Sequence, residues 1–194
     1  MVEKKQYSGK LIVFSAPSGT GKSTVVHLAL KRLPNIRFSV SATTRKIRQG
    51  EVDGINYYFL DKEDFETKIR EDAFIEHEFF FGNYYGTLFD KTIQIIAKGE
   101  HILLDLDVKG ALNLKKFFPD NSLLLFLKPP SMEVLRERLR VRETENERDR
   151  EVRLERAVME LEYAEMFDEI VVNDILDSAV DTVTAIINKF ISKT

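Results

Sequence analysis

Residues 16–23, Ala-Pro-Ser-Gly-Thr-Gly-Lys-Ser, come within one position of the phosphate-binding spacing G-x-x-x-x-G-K-[ST]. Glycines in such a turn let successive backbone N–H groups converge on phosphate oxygens, and a helix starting directly behind adds the positive end of its dipole. In that arrangement Lys22 reaches the β- and γ-phosphates and the Ser23 hydroxyl ligates magnesium. The departure is Ala16, where the first glycine usually stands. If a positive φ were required there, alanine would cost on the order of 1 kcal/mol. Such a loop binds a nucleoside triphosphate, and GTPases, ATPases and kinases all use it. Arg45 and Arg48, three apart in the turn-rich stretch 39–51, offer forked donors that grip phosphate in pairs. Asp105 and Asp107 close an apolar run, the place where ligand groups gather in a parallel α/β sheet.

The elements that must hold these residues are legible as alternating apolar runs and helical stripes. Leu11 to Phe14 reads as a strand entering the glycine-bearing loop, and the periodic stretch after it, ending at Pro34, reads as a helix. His101 to Leu106, Leu123 to Leu127 and Ile170 to Val172 read as further strands, continuous enough to be buried on both faces. Helical spacing marks Lys91 to Lys98, Ser131 to Arg142 and the stripe Val180, Val183, Ile187, Ile191. This order predicts an α/β fold with a mostly parallel sheet flanked by helices. Phe38 to Gly86 breaks the rhythm, with strand-like Asn56 to Leu60 and Phe79 to Phe81 around a helical Lys62 to Arg70, and reads as a mixed insert. Arg136 to Arg156 carries eight arginines against six glutamates and one aspartate, a pattern also common on solvated helix faces.

Composition narrows the classes. The chain has 194 residues, 43% of them hydrophobic, enough for one compact domain with a real core. With 29 Lys and Arg against 32 Asp and Glu, the net charge of −3 excludes nucleic-acid binding driven by bulk positive charge. The absence of cysteine excludes disulfides, thiolate metal sites and cysteine nucleophiles. No apolar run reaches the roughly 18 residues of a membrane helix, and the polar start lacks a signal sequence, so a cytoplasmic protein is expected. His27, His77 and His101 lie far apart, with no metal-hydrolase spacing, and no G-x-S-x-G elbow occurs.

Taken together, the phosphate loop, Ser39-Val-Ser-Ala-Thr-Thr-Arg-Lys-Ile-Arg-Gln-Gly-Glu51, Phe74-Ile-Glu76, Gly82-Asn-Tyr-Tyr-Gly-Thr87, the Asp105-Leu-Asp107 pair and Val172-Asn-Asp174 resemble the guanylate kinase family. The match runs through nearly the whole chain in the family's order. It implies a P-loop NTPase core with a GMP-binding insert and a helical lid, catalysing ATP + GMP = ADP + GDP with magnesium. The implied domain spans 9–190, divided into a nucleotide core of 9–38, 88–135 and 157–190, an insert of 39–87 and a lid of 136–156.

The resemblance also assigns roles. ATP would be bound by Ala16, Pro17, Ser18, Gly19, Thr20, Gly21, Lys22 and Ser23, together with Arg138 and Asn173, the last beside the adenine. GMP would be bound by Ser41, Arg45, Arg48, Tyr57, Glu76, Tyr85, Thr87 and Asp107. Lys22, Arg48, Arg142 and Arg153 would stabilise the transferring phosphoryl group, and Ser23 with Asp105, the latter through water, would hold magnesium. The residue types suit this. Guanine shows adjacent donors at N1 and N2, which one carboxylate accepts together, and adenine offers no such pair. A site built on hydrogen bonds rejects the wrong base by roughly 10⁴-fold, because its polar groups are left unpaired. Two positions depart from the family pattern: Lys109 stands in place of glutamine and Glu143 in place of glycine. Asn173 is equally readable as a plain strand-ending turn. Two other functions compete. Scaffold proteins carry related domains that bind phosphorylated peptides but lack a working phosphate loop, which is intact here at Gly21-Lys22-Ser23. A kinase of another nucleoside monophosphate would not need the Ser41, Glu76 and Thr87 set. The partners expected are ATP and GMP, with neither nucleic acid nor membrane, in a monomer or small homo-oligomer.

Overall fold

Two sheets divide the work of the chain. In the computed structural model, residues 7–80, 82–140 and 147–193 are described. In chain order, β1 (Leu11–Ser15), α1 (Lys22–Arg32) and β2 (Ile36–Phe38) begin the core. β3 (Ala42–Thr43), β4 (Tyr58–Phe59), α2 (Lys62–Arg70), β5 (Phe74–Phe80) and β6 (Asn83–Leu88) form the insert. The core resumes with α3 (Phe89–Ala97), β7 (His101–Asp105), α4 (Val108–Phe117), β8 (Ser122–Lys128) and α5 (Met132–Arg140). It ends with α6 (Glu147–Glu162), β9 (Glu169–Val172) and α7 (Leu176–Ile191).

The core sheet has the order β2-β7-β1-β8-β9, and every pairing in it is parallel. Side chains alternate across it, as strand geometry requires. Ile12, Phe14, Leu103 and Leu125 face α1 and α7, packing on Val25, Ala29, Val180 and Val183. Leu11, Val13, Leu104 and Phe126 face the other way, against Ile96 of α3 and Ala111 and Leu114 of α4. Helices therefore cover both faces, which is why these strands read as unbroken apolar runs.

The insert carries its own four-stranded sheet, ordered β4-β3-β6-β5 and mixed in direction. Its small core centres on fully buried Phe65, stacked on Phe74 at 4.4 Å and Tyr84 at 5.2 Å between ring centroids. Asp61 caps α2 by accepting from Asp64 N at 2.7 Å, with Glu63 and Asp64 in the first turn complementing the dipole.

Two expectations shift. The strand expected at Phe79 to Phe81 begins at Phe74, because the polar Glu76, His77 and Glu78 sit within it and mask its apolar signal. The stretch 136–156 starts inside α5 and ends inside α6, and residues 141–146, which include Arg142 and Glu143, lie outside the described residues. Among the described residues, no helix is long and apolar enough to cross a membrane.

Phe65→Ala is expected to cost the insert about 3–5 kcal/mol by urea unfolding. A loss under about 1 kcal/mol would show that the insert does not depend on this stack.

Candidate active site

The phosphate loop leaves β1 and turns into α1 through two glycines in the left-handed region, Gly19 at φ 89° and Gly21 at φ 91°. Gly21 caps α1 without any side-chain hydrogen bond, and no acid occupies the first turn. The first N–H groups and the positive helix end are thus left to an anion. Ala16 is not among the positive-φ residues, so the alanine carries no backbone strain. Its methyl packs against the cluster under α1.

Long-range contacts fix the loop. Asn173 donates from Nδ2 to Thr20 O at 2.8 Å. Arg138 donates to Thr20 O at 3.3 Å and to Asn173 O at 3.1 Å. Arg153 donates to Ser18 Oγ at 2.7 Å. A β-carbon on Gly21 would fall 2.7 Å from Asn173 Nδ2, so glycine there also lets that amide close over the loop. Asn173 is more than a turn former: it is 5% exposed and spends its amide on the loop.

Lys22 is ion-paired with Asp105, which β7 delivers to the loop because Phe14 and Asp105 are register partners. Ser23 follows, exposed, in the first turn of α1. Asp107 caps α4, accepting from Gly110 N at 2.7 Å, so one of its carboxylate oxygens is spent on that helix.

The insert gathers two further groups. Arg45 is forked onto Glu51 at 2.7 and 3.1 Å and lies 5.4 Å from the Tyr57 ring centroid, with Tyr85 6.2 Å beyond Tyr57. Glu51 also accepts from Arg48 N at 2.8 Å, while the Arg48 side chain is exposed at the loop. Glu51, absent from the expected set, is thus the residue that aims Arg45, and its signal was its place at the end of the 39–51 segment. Burial pushes the Tyr57 hydroxyl up, so it remains a donor at neutral pH.

The second group is Glu76 and Thr87, register partners on β5 and β6, with Thr87 Oγ1 donating to Glu76 Oε1 at 2.9 Å. β3 pairs Ala42 with Gly86, which brings Ser41 to the Thr87 end of β6. Glu76 packs against the start of α4, beside a cleft of about 490 Å³ that is also lined by Asp107, Lys109 and Asn113. Gly110 makes room for it: a β-carbon there would sit 2.6 Å from Glu76 Cγ. Lys109 lines the same cleft, exposed on the first turn of α4. Burial raises the Glu76 carboxyl from 4.5 to about 7, opposed by the Thr87 bond and reinforced by Asp107, Glu78 and Asp105. Sequence reasoning missed Gly110, whose role depends on a contact between distant segments.

A phosphate loop at the carboxyl edge of a parallel sheet is joined to an insert sheet that carries its own arginine–carboxylate pair and a recessed Glu76–Thr87 couple. This defines a phosphotransferase of the P-loop nucleoside monophosphate kinase class. Comparison with known proteins is specific. The family model for guanylate kinase matches residues 8–190. Guanylate kinase of Chlorobium luteolum is 60% identical over 192 residues, covering 99% of this chain and 98% of that one. Guanylate kinase of Chlorobaculum tepidum is 61% identical over 183 residues, 94% of each chain. The crystal structure of guanylate kinase from Anaplasma phagocytophilum superposes with a TM-score of 0.73 at 32% identity, covering 99% of this chain and 91% of that chain. The chain belongs to the guanylate kinase family, whose members phosphorylate GMP to GDP with ATP.

Because the folded protein holds the Glu76 carboxyl above its unfolded value, this group contributes stability that is full below pH 4.5 and lost as pH rises through about 7. The loss amounts to roughly 3 kcal/mol. Between pH 5 and pH 8, thermal melts of Glu76→Gln without nucleotide should therefore gain on the parent protein. Parallel melting curves would contradict the raised carboxyl.

Proposed function

We propose that the site carries out this transfer as follows: the phosphate loop binds ATP, the insert binds GMP, and the γ-phosphoryl passes between them. The observation that carries the reading is the pairing of an intact phosphate loop with the Glu76–Thr87 couple on a separate sheet. An ionised Glu76 accepts from guanine N1–H and N2–H together, while Thr87 and Ser41 supply hydroxyls to the base. Arg45, Arg48, Tyr57 and Tyr85 take the GMP phosphate, and Asp107 keeps one oxygen for the nucleotide. The loop residues 16–23 with Arg138 and Asn173 bind ATP.

Phosphoryl transfer asks little covalent chemistry of the protein, so alignment and positive charge do most of the catalysis. Lys22 and Arg48 supply that charge from the two sides, and Arg153 stands beside the loop through Ser18. Arg142 belongs to the same set, although it lies outside the described residues. Magnesium fits the donors present: the Ser23 hydroxyl as a ligand and the Asp105 carboxylate through water would offer hard oxygens near the loop, and this ion commonly takes only one or two protein ligands plus phosphates. When bound it would neutralise phosphate charge. The division into core, insert 39–87 and arginine-rich lid 136–156 belongs to the same reading. A cytoplasmic location and a monomer or small homo-oligomer complete it.

Coupled ADP production with GMP, AMP, CMP, UMP and dTMP in parallel tests the substrate. GMP should exceed each of the others by at least about 10³-fold in kcat/KM; AMP at or above GMP would sink the assignment. Separately, Lys22→Ala should lose more than about 10²-fold in kcat while GMP binding stays measurable by calorimetry. A Lys22→Ala enzyme of normal kcat would refute the loop mechanism.

A further inference from the structure

Glu78 stands two residues beyond Glu76 on β5 and is paired with Tyr85, so it shares the face that carries Glu76, Thr87 and Tyr85. Neither base nor phosphate recognition, as assigned above, uses it. Its carboxylate accepts a forked pair from Arg156 of α6, at 2.6 Å from Nη1 and 3.1 Å from Nη2. The same guanidinium donates from Nε to Glu160 at 2.9 Å, and Glu160 is only 9% exposed. One turn earlier, Arg153 reaches Ser18 of the phosphate loop. Arg153, Arg156 and Glu160 follow i, i+3, i+7 spacing and lie along one helix face. A single helix thus grips the ATP loop with one arginine and the GMP insert with another. A forked arginine–carboxylate pair fixes orientation as well as distance, so the grip on the insert transmits direction.

We propose that Arg156 is a positioning residue: by tying Glu78 of the insert to the helix that carries Arg153, it couples occupancy of the GMP site to the placement of Arg153 at the ATP site. The inference rests on the ATP and GMP assignment above. A nucleotide that fixes the insert also fixes α6 through this pair, and the second nucleotide then meets a helix already placed. By linkage the benefit is reciprocal, each nucleotide raising affinity for the other by the same factor.

The test is calorimetric titration of GMP into the full chain, with and without saturating magnesium and a non-hydrolysable ATP analogue, and the converse titration. The parent protein should show an enhancement of about tenfold in either direction. Glu78→Gln removes the charge and the fork of the insert arm, setting an NH2 donor against the guanidinium, and leaves the Arg156–Glu160 pair, so buried Glu160 keeps its counter-ion and the fold is spared. It should bind each nucleotide alone within about threefold of the parent while the enhancement falls to near one. Arg156→Lys, which keeps the charge and loses the fork, should fall between, and the double variant should lose no more than Glu78→Gln alone. If the parent binds both nucleotides and Glu78→Gln shows the parent's enhancement, the tie is overturned and the functional reading stands. Losses that add in the double variant overturn it as well. A parent that binds no GMP overturns both.

Discussion

Burying a carboxyl group where water is scarce constrains the structure around Glu76 on every side. Under the proposed function it stays recessed, since a solvated carboxylate reads a base poorly, and it ionises when guanine presents two donors. Gly110 gives up its side chain to admit it, Thr87 donates to one oxygen, and the insert sheet leans on the start of α4. Asp107 caps that helix while adding negative charge nearby, which helps raise the Glu76 carboxyl to about 7. The ligand-free protein thus holds this group near the midpoint of its titration at neutral pH. Under the proposed function, guanine's two donors favour the charged form.

The net charge of −3 hides this division of labour. Under the proposed function, Lys22, Arg45, Arg48, Arg138 and Arg153 serve the phosphates, while Glu76, Asp105 and Asp107 serve base donors and a divalent ion. Several cations are held in advance by carboxylates, Lys22 by Asp105 and Arg45 by Glu51. These partners aim the cations and limit their mutual repulsion before a phosphate arrives. Arg156 follows the same rule, held by Glu78 and Glu160.

What could be read from the chain was local. Glycine spacing, a preceding apolar run and a following helical stripe specify the phosphate loop, because its geometry is set by neighbours in sequence. The helix Lys62 to Arg70 was legible between strand-like stretches, and the core strands from unbroken apolar runs. The extent of β5 was not, because the polar side chains of Glu76, His77 and Glu78 break its apolar signal. The cost feared at Ala16 depended on a φ angle that no spacing reveals, and the backbone does not require it. Asn173 over Thr20, Gly110 under Glu76 and Arg156 on Glu78 join segments 153, 34 and 78 residues apart, beyond the reach of any local pattern.

The central claim is that Glu76 is a recessed carboxylate that guanine drives to ionise. Carboxyl ¹³C NMR titration of Glu76, with and without GMP, addresses it directly. Without nucleotide the midpoint should lie near pH 7. With saturating GMP it should fall below about 5, since two donated hydrogen bonds favour the charged form. A nucleotide-free midpoint near the ordinary 4.5, or a midpoint that GMP leaves unmoved, would contradict the account.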